Sequence, residues 1–177
     1  MFDIKPDKNH IEYAREQVKK YTYGNRGYGD GNKNEQFCSV LGQTVIADLL
    51  NMDRPTGDSG FDNGVDFIIN GKTVDVKTMT RTVPMKPFYV HNFIGYQKNY
   101  KVDYYIFMSY NKSINCLTIG GFIKKNELNE KADFFEAGTL RYRSDGTSFR
   151  SKAPLYEIVQ SKLNPLNKLE DILQNIK

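Results

Sequence analysis

The chain has 177 residues, of which 39% are hydrophobic and 26% charged, with 12 Tyr and 11 Phe; this supports one folded domain over 1–177 and excludes a disordered tail. Twenty-five Lys and Arg against 21 Asp and Glu leave a net charge of +4, which permits a polyanionic partner without demanding one. No run approaches the ~18 apolar residues of a membrane span, the N-terminus carries no signal-like stretch, and Cys38 and Cys116 match no metal or redox spacing. The expectation is a cytoplasmic protein with two ordinary thiols and no membrane partner.

Ile11, Ala14 and Val18 recur at helical spacing among charged residues and predict an amphipathic helix over 8–21. Residues 24–33 hold four glycines and read as a loop, without the Lys-Ser/Thr ending or preceding strand of a nucleotide-binding loop. Asn34 is the expected N-cap of a second helix reaching about Leu50, whose stripe of Phe37, Leu41, Val45 and Leu49 predicts burial. Gly42, in the middle of that helix, costs about 1 kcal/mol relative to alanine, a cost that close approach to a sheet would explain. Glu35 lies on the same side, two turns earlier.

Residues 53–60 are turn chemistry. Asn70-Gly71 then separates two β-branched runs, 65–69 and 72–77, the strongest short-range hairpin signal. Further strands are expected over 88–92, 104–110, 117–123 and around 155–158. A short helix is expected near 95–100, an Arg- and Tyr-rich loop-and-strand region over 139–152, and a closing amphipathic helix over 165–177. The fold class is α/β, a central mixed sheet flanked by helices.

The hairpin carries the chemistry. With Asn70-Gly71 as a two-residue turn, Ile69 pairs with Lys72, so Asp66 is expected opposite Asp75 on a non-hydrogen-bonded pair, with Cβ atoms about 4.5–5.5 Å apart. Alternation puts Lys77 on the same face as Asp75 and gathers Phe67, Ile69, Val74 and Val76 on the other, an apolar surface suited to a core. Opposed carboxylates repel and call for compensation, which a divalent cation such as Mg²⁺ supplies, since it takes one or two carboxylates and completes its shell with water and substrate phosphate. Lys77 could stabilise charge developing on phosphorus or assist an attacking water, and Glu35 on the neighbouring helix would complete the cluster.

The order Glu35 on a helix, Asp66, then Asp75-Val76-Lys77 on a hairpin resembles the PD-(D/E)XK nuclease superfamily, with Val65 in place of the proline of the family label. The resemblance implies a restriction-endonuclease-like αβββαβ core over about 34–125, with the helices 8–21 and 165–177 as additions and extra C-terminal strands. It implies a Mg²⁺-dependent DNA endonuclease, Mn²⁺ substituting, that hydrolyses phosphodiesters by metal-activated water attack. By resemblance Asp66, Asp75 and the Val76 carbonyl would be metal ligands, with Glu35 an additional or water-mediated one, and Lys77 would position or activate the water. A homodimer is an option that the family brings.

The competing expectation is a non-catalytic nucleic-acid-binding or scaffold protein of the same fold, in which the hairpin face is solvated and Lys77 simply neutralises the acids. A glutamate in a first helical turn is also favoured by the helix dipole, which gives Glu35 a second explanation. Lys72, Arg81 and Lys86, which flank the hairpin and its exit, are candidate DNA contacts. Arg141, Arg143 and Arg150, interleaved with Tyr142 and Phe149, would suit a phosphate-contacting ribbon. Gln97 is placed where family members often carry a polar residue beside the metal. His91 is expected as a packed strand residue.

Overall fold

The computed structural model describes residues 1–21, 31–58, 64–143 and 146–177. In chain order the elements are strand β1 (Phe2–Ile4), helices α1 (Lys8–Lys20) and α2 (Lys33–Leu49), strands β2 (Phe67–Ile69), β3 (Lys72–Arg81) and β4 (Val90–Ile94), and a 3-10 helix at Gly95–Asn99. Strands β5 (Tyr104–Asn111) and β6 (Cys116–Lys124) follow, then helix α3 (Lys125–Lys131) and strands β7 (Asp133–Phe135), β8 (Leu140–Tyr142), β9 (Ser148–Arg150) and β10 (Leu155–Val159). A 3-10 turn at Gln160–Lys162 and helix α4 (Glu170–Asn175) close the chain.

The chain is α/β. Its main sheet runs β1-β6-β5-β3-β2, with β3 and β5 parallel and every other neighbouring pair antiparallel. Asn70 and Gly71 take positive φ of 51° and 76°, the conformation that a two-residue hairpin turn needs and that Asn-Gly supplies at low cost. The turn sets the register expected from sequence, with Ile69 opposite Lys72 and Phe67 opposite Val74.

Both faces of the main sheet are covered. Even-numbered residues of β3 and β5, Val74, Val76, Tyr104, Ile106 and Met108, join Val40, Leu41, Val45 and Ile46 of α2, Ala14 and Val18 of α1 and Ile172 and Ile176 near the C-terminus in one core. Tyr105 and Phe107 point the other way, into a second core with Phe93 of β4, Ile123, Leu128 and Tyr156 and Ile158 of β10. That second layer is a separate sheet in the order β4-β10-β7, and β8 and β9 form a two-stranded ribbon. Helix α2 lies tightly on β3: a Cβ added at Gly42 would fall 2.1 Å from Oγ1 of Thr78, which is why this buried helix tolerates a glycine.

Several sequence expectations shift. The N-cap of α2 is Asn32, two residues before Asn34, because its side chain accepts from the N–H groups of Asn34 and Glu35. The strand expected at 88–92 forms as β4, but it pairs with β10 in the second sheet, so the strand following the hairpin does not extend the main sheet. The C-terminal helix is confined to six residues, and β1, β7 and α3, all short, carried too little pattern to be expected. The loop expected over 24–33 lies largely outside the described residues, as do positions 59 and 60 of the turn segment. Among the described residues no helix is long and apolar enough to cross a membrane.

Candidate active site on the central hairpin

Strand β2 begins only at Phe67, although its partner β3 runs on to Arg81. The N–H of Asp66 donates to the Val74 carbonyl at 2.9 Å, so Asp66 and Phe67 both address Val74 and the ladder stops there. Asp66 is therefore not the cross-strand partner of Asp75 that the even register predicts; a bulge-like shift intervenes. Its carboxylate turns to the edge of β3 left open by the end of β2. Oδ2 accepts from the Val76 N–H at 2.6 Å, and Oδ1 accepts from the Gln43 side-chain amide of α2 at 2.7 Å. Because ladder bonds alternate in direction along a strand, the Val76 carbonyl looks toward the same open edge as its N–H.

Asp75 is 1% exposed. Its Oδ2 lies 2.7 Å from Nζ of Lys77, the neighbour two places along the same face, as period-2 alternation predicts. Tyr105 is its partner in the parallel ladder with β5. The Tyr105 hydroxyl is buried and without a hydrogen-bond partner among the described residues. Burial, followed by the negative charge of Asp75, pushes its pKa upward. The hairpin tip contrasts with this end, because Ile68 is 63% exposed. The solvated-face expectation thus fits the tip and fails at Asp75.

Glu35 is not brought to the hairpin. It sits exposed in the first turn of α2, where its Oε2 accepts from the backbone N–H of Asn32 at 2.8 Å and completes a capping box. The α2 residue that does reach the site is Gln43, eight residues and about 12 Å further along the helix. A half-buried polar residue directly after the glycine at the helix–strand contact was the available signal for it. The other acid of α2, Asp48, is held by Arg54 and His10.

Among the outlying candidates, Lys72 begins β3 and Lys86 is exposed with Nζ 5.7 Å from the Phe88 ring centroid. Arg81 is half-buried, donating from Nε to Ser109 Oγ at 2.9 Å and from Nη2 to the Val90 carbonyl at 2.6 Å. Gln97 lies half-buried on the 3-10 helix, with no side-chain bond to Asp66, Asp75 or Lys77 among the described residues. The ribbon arginines are engaged internally. Arg141 clasps buried Glu157 through Nη2 at 2.7 Å, Arg143 lies over the Phe149 ring, and Arg150 donates to the Gly138 carbonyl at 2.8 Å. His91 is fully buried, with Nε2 2.7 Å from Gln160 Oε1, as expected of a packed strand residue.

No group of three or more His, Cys, Asp and Glu able to hold a metal forms among the described residues. The oxygen donors that the hairpin carries are the carboxylate of Asp66, bonded to the Val76 N–H and Gln43, the carboxylate of Asp75, paired with Lys77, and the Val76 carbonyl. That set is too small and too hard for a structural zinc site, and it suits Mg²⁺, which keeps several waters. Compared with known proteins, the chain matches no family model, no curated protein and no solved structure.

Proposed function

We propose that the protein is a Mg²⁺-dependent nuclease whose site is built by Asp66, Asp75, the Val76 carbonyl and Lys77, on a restriction-endonuclease-like core. The observation that carries this reading is the placement of the Asp75–Lys77 pair. A carboxylate 1% exposed and an ammonium 2.7 Å away sit on the strand whose open edge is held by the carboxylate of Asp66. Burying such a pair costs several kcal/mol per ion before attraction offsets it, and a structure that needed only stability would do as well with apolar residues there. The antiparallel hairpin, its parallel neighbour β5 and the close-packed α2 support the fold half of the reading.

In this reading Asp66, Asp75 and the Val76 carbonyl hold the cation, which when bound supplies Lewis-acid polarisation of the phosphate. Lys77 orients the attacking water and carries positive charge beside the phosphorus as its oxygens become more negative. Gln43 takes a different part from the ligand expected of Glu35: from α2 its amide fixes the orientation of the Asp66 carboxylate. Tyr105 keeps the floor beneath Asp75 dry.

The second reading, a non-catalytic scaffold, draws on the same bonds. Asp66 satisfies a strand-edge N–H and Lys77 satisfies Asp75, so each side chain also has a structural use. Plasmid nicking with Mg²⁺ and with chelator, by wild type and by Asp75→Asn, separates the two. The nuclease reading expects chelator-sensitive nicking that falls by orders of magnitude in the variant, and calorimetric Mg²⁺ binding that is lost with it. No nicking by the folded wild type would establish the scaffold reading instead, and equal nicking by the variant would overturn the assignment of the site to Asp75.

A further inference from the structure

A second polar feature lies at the end of the main sheet where β3 and β5 begin. It is an open cleft of about 450 Å³ whose lining includes Lys72, Asp103, Lys124, Lys125, Asn129 and Lys177. Its lining holds four lysines and one acidic residue, and the main-chain oxygen of Lys177 accepts there from the Tyr104 hydroxyl at 2.8 Å. Some basic side chains elsewhere are paired with carboxylates, Lys77 with Asp75, Lys131 with Glu127, Arg54 with Asp48 and Arg141 with Glu157. None of the four cleft lysines forms an ion pair among the described residues.

The one acid is already engaged. Oδ2 of Asp103 accepts from the N–H and from the hydroxyl of Thr73, both at 2.9 Å, and these bonds hold its pKa below the usual carboxylate range. Lys125 donates to the Tyr100 carbonyl and, with Lys72, is also attracted by the Asp103 carboxylate, so one acid is shared among the lysines. Lys124 stands 6.0 Å from the Tyr104 ring centroid. Four like charges gathered around one concavity repel, and an anion with several oxygens relieves that repulsion.

We propose that this cleft binds the phosphate backbone of a nucleic acid strand. The lining argues for a strand over a small phosphate ester. It is open to solvent, and Val102 and Tyr104, both buried, are the apolar residues among its lining, so it offers no enclosed floor on which a base or other ligand body would be buried. By alternation Lys72 points from the face of β3 opposite Asp75, only three residues away, so the cleft is separate from the hairpin site. The proposal does not depend on whether that site cuts.

The test is fluorescence anisotropy of a labelled DNA duplex and a labelled single strand in chelator, where no turnover occurs. It compares wild type, Lys72→Gln/Lys124→Gln, and Lys112→Gln, an exposed control beyond the far end of β5. The double variant is expected to bind at least about tenfold more weakly at low salt. Its slope of log K against log salt should flatten by about 1.4–1.8, while the control matches wild type. Equal binding and slope in the double variant and wild type would overturn the proposal. So would displacement of the strand by a nucleoside triphosphate as efficient as by unlabelled DNA, which would mean a small-phosphate site. Asp75→Asn binds normally if the cleft acts alone. Loss of nicking without loss of binding therefore bears on the nuclease reading, and loss of binding without loss of the fold bears on the cleft.

Discussion

The two faces of β3 obey different rules. Its even-numbered side chains, Val74 and Val76, are pressed against α2 by ordinary apolar burial, and Thr78 is met by a glycine because nothing larger fits. Its odd-numbered side chains place a buried aspartate and a lysine under a second sheet, where His91 is also fully enclosed. The first face follows from hydrophobic periodicity, and the second holds charge where burial penalises it. Stability should therefore respond to packing volume on one side and to protonation and pairing on the other.

The largest effect is expected at Lys77. In Lys77→Met the ammonium 2.7 Å from buried Asp75 is gone while most of the side-chain volume stays, so urea unfolding at neutral pH should show a loss of about 3–5 kcal/mol. Adding Asp75→Asn should restore a large part of it, because the uncompensated charge leaves with the carboxylate. If Lys77→Met costs no more than a surface substitution, the second face is not governed by pairing and the contrast fails.

His91 sharpens the same face. Burial lowers its pKa to about 4, assisted by Arg81 and opposed by the bond to Gln160, whereas in the unfolded chain it titrates near 6.5. The folded form is neutral, and between these values the unfolded chain binds more protons. Stability from this residue is complete above about pH 6.5 and is lost as pH falls toward 4, by about 3 kcal/mol in total. The difference in unfolding free energy between wild type and His91→Gln, followed from pH 7 to 4, should shrink along that window. A constant difference would mean that His91 titrates normally.

How much of this was legible follows from the residues themselves. Asn70-Gly71 set a turn whose register then fixed which side chains share a face, and the long apolar stripe of α2 made its burial plain. The register carried correctly from Ile69 to Phe67, and failed one step later, since no sequence signal marks the place where Asp66 N–H shifts to the Val74 carbonyl. The pairing of β4 with β10 joins residues about 65 positions apart, and local pattern does not encode such choices. The ribbon arginines looked free because Glu157, which holds Arg141, arrives from another strand.

On the packed face the effect is smaller. Gly42→Ala would bring a Cβ to 2.1 Å from Thr78 Oγ1, and the hydroxyl must rotate or the helix shift, at about 1–3 kcal/mol. Thr78→Ala in the same chain removes the clashing oxygen and should recover part of the loss in a double-mutant cycle. Additive losses would show that α2 does not meet β3 as closely as the geometry has it.

The smallest expected effect distinguishes two uses of one glutamate. Glu35 caps α2 by accepting from the Asn32 N–H, a bond that glutamine also makes in a capping box, so Glu35→Gln should leave the thermal midpoint nearly unchanged and Glu35→Ala should lower stability by about 0.5–1 kcal/mol. If the proposed nuclease reading holds, neither should alter nicking, because a residue about two turns from Gln43 does not touch the Asp66 carboxylate. A metal ligand would behave in the opposite way, since removing its charge as glutamine spares the fold and removes cleavage. Gln43→Leu carries the complementary expectation, as it takes away the amide that orients Asp66 and should slow nicking while α2 remains folded. If Glu35→Gln proved the more damaging of the two, the helix would contribute its first turn to the site, and the α2-facing side of β3 would be chemical as well as structural.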